Sequence, residues 1–354
     1  MTSRKRSRRA NRRLIPHWAW AAVGIFSFLI VVALAGVVAA LSTTHNTQAM
    51  HLCVDDDDTL DSIACRLDTL ASPYAICGFR MLAMTMHYAG NERTGHYAVA
   101  PHTTMIALVR QLRAGEQQPV RVVIPPARQM GTLCAALARS LMLDSATIAN
   151  ALADDTLCAS FGYTTRTIPA LFIPNTYELY WDVPLNRLLQ RMKRENDAFW
   201  TTARKARADS LHLTPVEVAT LASIVDSETA NDGEKPTIAG LYLNRLRIGM
   251  PLQSDPTVIY AIGDFSIRRV SYAHLQTQSP YNTYLHKGLP PGPIRIPTIA
   301  ALDAVLYAPQ HDYLYMCAKA DFSGTHAFAS NYAEHLRNAR AYAQALNQRG
   351  ITIK

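Results

Sequence analysis

Thr214-Pro215-Val216-Glu217-Val218-Ala219-Thr220-Leu221-Ala222-Ser223-Ile224-Val225-Asp226-Ser227-Glu228-Thr229 reads as one helix. Thr214 caps it, Pro215 fills the first turn, and Glu217 closes a capping box. Gly233 is placed to end it. At 3.6 residues per turn, Val218, Leu221, Val225 and Glu228 share a face, with Ile224 one turn below Glu228. Asp226 points about 200° away, over Ala219, Ala222 and Ser223. A carboxyl on an apolar stripe loses hydration, and its pKa rises toward the range a general acid needs. The alternative is a core-edge Glu228 paired with a cation such as Arg245. This helix alone leaves both readings open.

Downstream, Pro236–Arg247 reads as a second helix, ended by Gly249. In Met250-Pro251-Leu252-Gln253-Ser254-Asp255-Pro256, Gln253 and Asp255 enter a turn, and Asp255 can cap a short helix. Ser279-Pro280-Tyr281-Asn282-Thr283-Tyr284 offers aromatic faces that stack on pyranose rings and an amide for hydroxyl or acetamido groups. Gly288-Leu289-Pro290-Pro291-Gly292-Pro293-Ile294 is a stiff loop. Upstream, 127–211 is mostly helical with an irregular, aromatic-rich break near 168–180. P-loop, GxSxG, HExxH and GxGxxG patterns are absent, so a carboxylate site is what the residues offer.

Residues 51–124 read as a small α+β unit. The elements expected are a helix capped by Asp58, a helix over Tyr74–Tyr88, a strand at Gly95–Val99, a helix capped by Thr103 or Thr104, and a strand at Val120–Ile124 stopped by Pro125-Pro126. The run Asp55–Asp58 reads as a solvated loop, since EF-hand spacing is missing. Residues 42–50 read as a polar tether.

Trp18–Leu41 is an uncharged run of 24 residues. At about 1.5 Å per residue it can cross a hydrocarbon core of about 30 Å. The chain has 354 residues and a net charge of +8, and residues 1–13 carry seven basic side chains and no acid. This asymmetry predicts a cytoplasmic basic tail (1–17), a transmembrane helix (18–41) and an exported body. A cleaved signal peptide would have a shorter apolar core and an A-x-A-like site. The remaining chain is nearly neutral, so no nucleic-acid partner is expected. With 49% hydrophobic and 18% charged residues, a packed core is expected. All six cysteines follow the apolar run, where disulfides are permitted. They lack zinc spacing and read as small buried hydrophobes.

The segments LASIVDSET, LYLNRLRIGMPLQSDPTVIY, SPYNTYLHKGLPPGPI and YLYMCAKADFSGTHAFASNYAEH, within 221–335, together resemble the YceG-like endolytic murein transglycosylases. The resemblance implies an α+β protein with an N-terminal transmembrane helix. A LysM-like subdomain would cover 51–124 and a mixed helix/strand catalytic domain 125–354. It places the catalytic acid on Glu228, the second acid of the family's E-x-E-T pattern. Asp226 stands where the first glutamate is usual, and Arg295-Ile296-Pro297-Thr298 also departs from the family pattern. Substrate-binding or supporting roles would fall to Asp226, Asn244, Arg245, Gln253, Asp255, Tyr260, Tyr281, Asn282, Tyr284 and His326. Neither metal nor cofactor is implied.

The implied activity is cleavage of the MurNAc-β-1,4-GlcNAc bond within glycan strands at the bacterial inner membrane, with the catalytic domain outside the cytoplasm. Peptidoglycan synthases are the implied protein partners. The rivals are a muramidase using two carboxylates, with Asp226 or Asp255 as the second, and a non-catalytic glycan-holding scaffold.

Overall fold

The computed structural model describes residues 17–349. The basic residues of the N-terminal tail lie outside the described residues. The fold is α+β, and the chain divides into two compact units, Met1–Pro119 and Val120–Lys354.

The first unit contains α1 (His17–Leu41), β1 (Met50–Val54), α2 (Leu60–Leu67), α3 (Pro73–Thr85), β2 (Gly95–Val99) and α4 (Met105–Ala114). α1 has a mean hydropathy of 2.7 over its apolar run and is long and apolar enough to cross a membrane. β1 and β2 pair antiparallel, with Met50 opposite Val99 and Val54 opposite Gly95. Alternate strand residues Leu52, Val54, Tyr97 and Val99 meet Ile63, Leu67, Phe79, Leu108 and Leu112 in one core, as the two-residue strand period requires.

Three details differ from the sequence expectation. Thr59, not Asp58, caps α2, in a capping box with Ser62; Asp58 instead accepts from Ser62 and Arg66. α3 ends at Thr85, short of Tyr88. Residues 42–46 are tied down rather than loose. Met105 N donates to Ser42 O at 3.0 Å, Thr44 N to Thr103 O at 3.0 Å, and His45 N to Leu70 O at 2.6 Å.

The second unit begins with β3 (Val120–Ile124), expected at the end of the small unit. β3 pairs antiparallel with β4 (Asn175–Leu179), Val120 opposite Leu179. Between them lie α5 (Met130–Ser140), α6 (Ser145–Leu152), α7 (Asp155–Ser160) and a 3-10 turn at Ile168–Leu171. There follow α8 (Leu185–Phe199), α9 (Thr202–Ser210), α10 (Pro215–Glu228), α11 (Lys235–Arg247), α12 (Asp255–Ile262), α13 (Tyr272–Leu275), α14 (Ile299–Leu306), β5 (Tyr315–Ala318), β6 (His326–Ala329) and α15 (Tyr332–Gln348). β5 and β6 form an antiparallel hairpin. One core fills the space around β3, β4, α5 and α8. The other is built on α10, α11 and α14.

α10 starts as its sequence dictates: Thr214 N donates to Glu217 Oε2 at 2.8 Å and Glu217 N to Thr214 Oγ1 at 3.3 Å. Every residue from Val218 to Asp226 is buried. The helix therefore has no single apolar stripe; it is a core helix covered on all sides. It ends at Glu228, with Thr229 extended at φ −141°, five residues before Gly233. All six cysteines are free thiols; Cys134 and Cys158 are buried, while Cys65 and Cys77 are exposed.

Candidate active site

Glu228 is the last residue of α10, where the helix leaves the core and the side chain is half-buried. Tyr242 of α11 donates its hydroxyl to Glu228 Oε1 at 2.6 Å, and Ser254 Oγ donates to the same oxygen at 2.5 Å. Among the described residues, Oε2 receives no hydrogen bond. Burial raises the Glu228 pKa above the ordinary carboxylate value, although the Ser254 and Tyr242 hydrogen bonds pull it down; the nearby charge of Asp255 adds to the rise. The negative end of the α10 dipole acts in the same upward direction. Tyr242 is fully buried, and its phenol pKa is pushed well up by burial and then by Glu228, so it stays a donor. The result is a carboxyl with one oxygen fixed and the other available to carry a proton.

Ser254 is held by its own neighbours. Its N–H donates to Thr283 Oγ1 at 3.0 Å, and Thr257 Oγ1 donates to its carbonyl at 2.7 Å. Arg245 does not pair with Glu228. Its Nε donates to Leu314 O at 2.7 Å and its Nη1 to Leu252 O at 2.7 Å, anchoring the turn that carries Ser254. Gln253 is exposed and adopts φ +52°, the left-handed region; a non-glycine residue there is held by its surroundings. Its N–H donates to Thr283 O at 3.1 Å. Asp255 is the first residue of α12, and Ser254 takes the cap position. Asp255 Oδ1 accepts from the Tyr284 hydroxyl at 2.5 Å.

Tyr260 and Tyr281 place their rings 4.8 Å apart. Asn282 is buried, and its amide donates to Leu275 O and Thr277 O, each at 2.9 Å; this pins its own loop. Asn244 likewise binds His311 O at 2.7 Å and Tyr313 O at 3.1 Å. His326 Nδ1 lies 2.9 Å from Glu234 Oε2. Both line a cavity of about 500 Å³ with Asn231, Lys319, Phe328 and Glu334. Glu228 is not in that lining. The structure thus gathers Gln253 and Asp255 on the turn beside Glu228's donor Ser254, and it commits Asn244, Arg245 and Asn282 to backbone carbonyls.

Asp226 leaves α10 on another side and is buried. Lys235 Nζ donates to its Oδ1 at 2.6 Å, Thr298 Oγ1 donates to Oδ1 at 2.8 Å, and Arg295 Nε sits 3.2 Å from Oδ2. Burial works against the Lys235 ammonium, but hydrogen bonds and charge from Asp226 and Asp232 outweigh it and raise its pKa. Arg295 and Thr298, in the stretch that departs from the expected pattern, thus hold the acid that also departs from it. Sequence reasoning missed Tyr242, Ser254, Lys235, Arg295 and Thr298 as site or supporting residues. Ser254 and Tyr242 both lie inside the quoted 241–260 segment, and that membership was the available signal.

A model of the YceG-like family matches residues 52–341, most of the chain. The chain belongs to the YceG-like family. It is 33% identical over 171 residues to an endolytic murein transglycosylase of Bacillus subtilis (strain 168), covering 48% of this chain and 46% of that protein. It is 30% identical over 181 residues to an endolytic murein transglycosylase of Streptococcus pneumoniae serotype 2, covering 49% of this chain and 32% of that one. The chain thus spans less than half the length of these YceG-like relatives. The crystal structure of a yceG-like protein from Listeria monocytogenes matches with a TM-score of 0.55 at 24% identity, covering 82% of this chain and 99% of that one. That likeness concerns the fold.

Proposed function

We propose that this YceG-like protein is an endolytic lytic transglycosylase, cutting the MurNAc-β-1,4-GlcNAc bond inside peptidoglycan strands. The observation that carries this is the Glu228 carboxyl: pKa raised by burial, Oε1 fixed by Tyr242 and Ser254, Oε2 unengaged among the described residues. Protonated Glu228 gives its proton to the glycosidic oxygen as that bond breaks, and the sugar becomes oxocarbenium-like. The carboxylate then takes the proton of the muramoyl C6 hydroxyl, whose oxygen closes the 1,6-anhydro ring. The nucleophile belongs to the substrate, so one carboxyl serves both steps. Tyr242 and Ser254 stabilise the carboxylate formed between them. Asp226, enclosed by Lys235, Thr298 and Arg295, is a supporting residue. The exposed Asp255, whose charge reaches Glu228, makes a two-carboxylate muramidase the second reading.

The apolar α1 fits a single-pass anchor with the N-terminus in the cytoplasm and the remaining chain outside. The strand-helix-helix-strand order of the first unit supports a LysM-like glycan-holding role. Mass spectrometry of products from purified, uncrosslinked strands tests the reaction. Anhydro ends, one water lighter than hydrolysed ends, are expected. Water-added ends would establish the muramidase, and intact strands the scaffold.

A further inference from the structure

Gly78, in the middle of α3, packs directly on the last turn of α1. A Cβ at Gly78 would lie 2.3 Å from Ala39 O, and one at Gly36 would touch Met81 at 3.6 Å. Small residues at such a contact let two helix backbones approach closely. In the second half of α1, Gly36, Ala39 and Ala40 are partly covered, whereas Val37, Val38 and Leu41 stay exposed.

The depth of this contact follows from helix geometry. Trp18–Leu41 has 24 residues, or about 36 Å at 1.5 Å per residue. Centred on a core of about 30 Å, each end projects about 3 Å beyond it. Ala39 then lies at the core boundary, and Gly36 about 4–5 Å inside it. α3, in contact with both, shares that depth, which is where an interfacial helix lies. Its solvent-side residues suit the place. Tyr74 is 79% exposed and Met84 59%, and Cys77 is exposed between them. The neighbouring Arg80 pairs with Asp61 at 3.1 Å, and its long stem can lie on lipid while the charge reaches water.

Nothing loose separates the anchor from the unit. Ser42 Oγ donates to Val38 O at 2.8 Å, Ser42 O accepts from Met105 N, and Thr44, fully buried, accepts from Thr103 N at 3.1 Å. The anchor and the small unit therefore belong to one compact unit.

We propose that α3 lies at the membrane–water interface on the non-cytoplasmic side of the anchor's bilayer, with Tyr74, Cys77 and Met84 against lipid, so that the first unit rests on the bilayer surface. This rests on the anchor reading above, and the occupant of the exposed α3 face is the bilayer itself.

The test uses the full chain with Cys53, Cys65 and Cys317 replaced by alanine, reconstituted in phosphatidylcholine/phosphatidylglycerol nanodiscs. Cys134 and Cys158 are buried and stay in place. An environment-sensitive dye on Cys77 should shift to the blue and lose most of its emission to lipids bearing a nitroxide near the headgroup. In a second variant that keeps Cys65 of α2, a helix that packs on α3, and has alanine at Cys77 instead, the same dye on Cys65 should show neither change. Gly78→Leu should restore the Cys77 emission by separating α3 from α1; unchanged quenching in that variant would overturn the contact as the cause. With Cys65 and Cys77 also replaced by alanine, a dye at Leu29→Cys, read with lipids that bear the nitroxide deep in the acyl chain, reports the span. If it is quenched while Cys77 stays water-like, the proposal is wrong and the anchor stands. If neither is quenched, the anchor reading fails and the proposal with it.

Discussion

Asp226→Asn separates a supporting acid from a catalytic one. Asn keeps the shape and can still accept from Thr298, but it removes the negative charge facing Lys235, whose side chain is 4% exposed, and Arg295, whose side chain is 16% exposed. Breaking a buried ion pair from one side typically costs about 3–5 kcal/mol, because the partner charge stays buried. Lys235 keeps Asp232 at 2.6 Å, which places the loss near the lower end, about 3 kcal/mol. For a unit of this size, 1 kcal/mol moves the melting temperature by about 2–4 °C, so a fall of about 6–12 °C is expected. Thermal unfolding of the detergent-solubilised chain measures it, and strand cleavage is assayed well below the transition, where most of the rate should survive. An unchanged melting temperature together with abolished cleavage would refute the reasoning and make Asp226 the catalytic acid.

Tyr242→Phe removes a donor that stabilises the Glu228 carboxylate. A hydrogen bond to a charged group is worth about 1.5–3 kcal/mol, so cleavage should fall roughly 10- to 100-fold. The basic limb of the pH–rate profile should move upward, because the lost bond had lowered the Glu228 pKa. Gly292→Ala should destabilise by about 1–3 kcal/mol in urea unfolding, since its Cβ would meet Arg166 O at 2.3 Å. Glu228→Gln should raise the melting temperature at pH 7. Folding raises the Glu228 pKa, so the folded state binds the proton more tightly and stability is lost as pH climbs from about 4.3 through the folded value. Below about pH 4 both states are protonated, and the gain from Gln should vanish.

Local signals carried much of this fold. The Thr214–Glu217 cap, the β2 and β3 strands, and a helix carrying Asp226 and Glu228 were legible, because cap chemistry and periodicity act over a few residues; the end of that helix was not, since it stops at Glu228 rather than near Gly233. What the structure added depends on distant parts of the chain. Tyr242 reads as an ordinary core aromatic of α11, and only the crossing of α10 and α11 turns its hydroxyl onto Glu228. Ser254 reaches the same oxygen because Arg245 and Thr283 hold its turn, with Gln253 at positive φ; no residue type announces that. Asp226 carries no mark of its contacts with Lys235 and Arg295, which come from two separate segments. Residues 42–46 looked like a tether because they are polar, yet their backbone groups bond to the start of α4, to Thr103 just before it, and to Leu70 in the loop after α2. β4 was hidden in an aromatic, proline-flanked stretch whose partner β3 lies some fifty residues earlier.

The most direct test of the account is Glu228→Gln acting on purified, uncrosslinked glycan strands, with the fold followed by circular dichroism. Gln keeps the shape and the contacts of Oε1 but cannot deliver or take a proton. General acid–base catalysis is worth about 10²–10⁴-fold, and the account predicts a loss of anhydro-ended products of at least that order from a folded protein. Near-full formation of anhydro ends by the folded variant would contradict it.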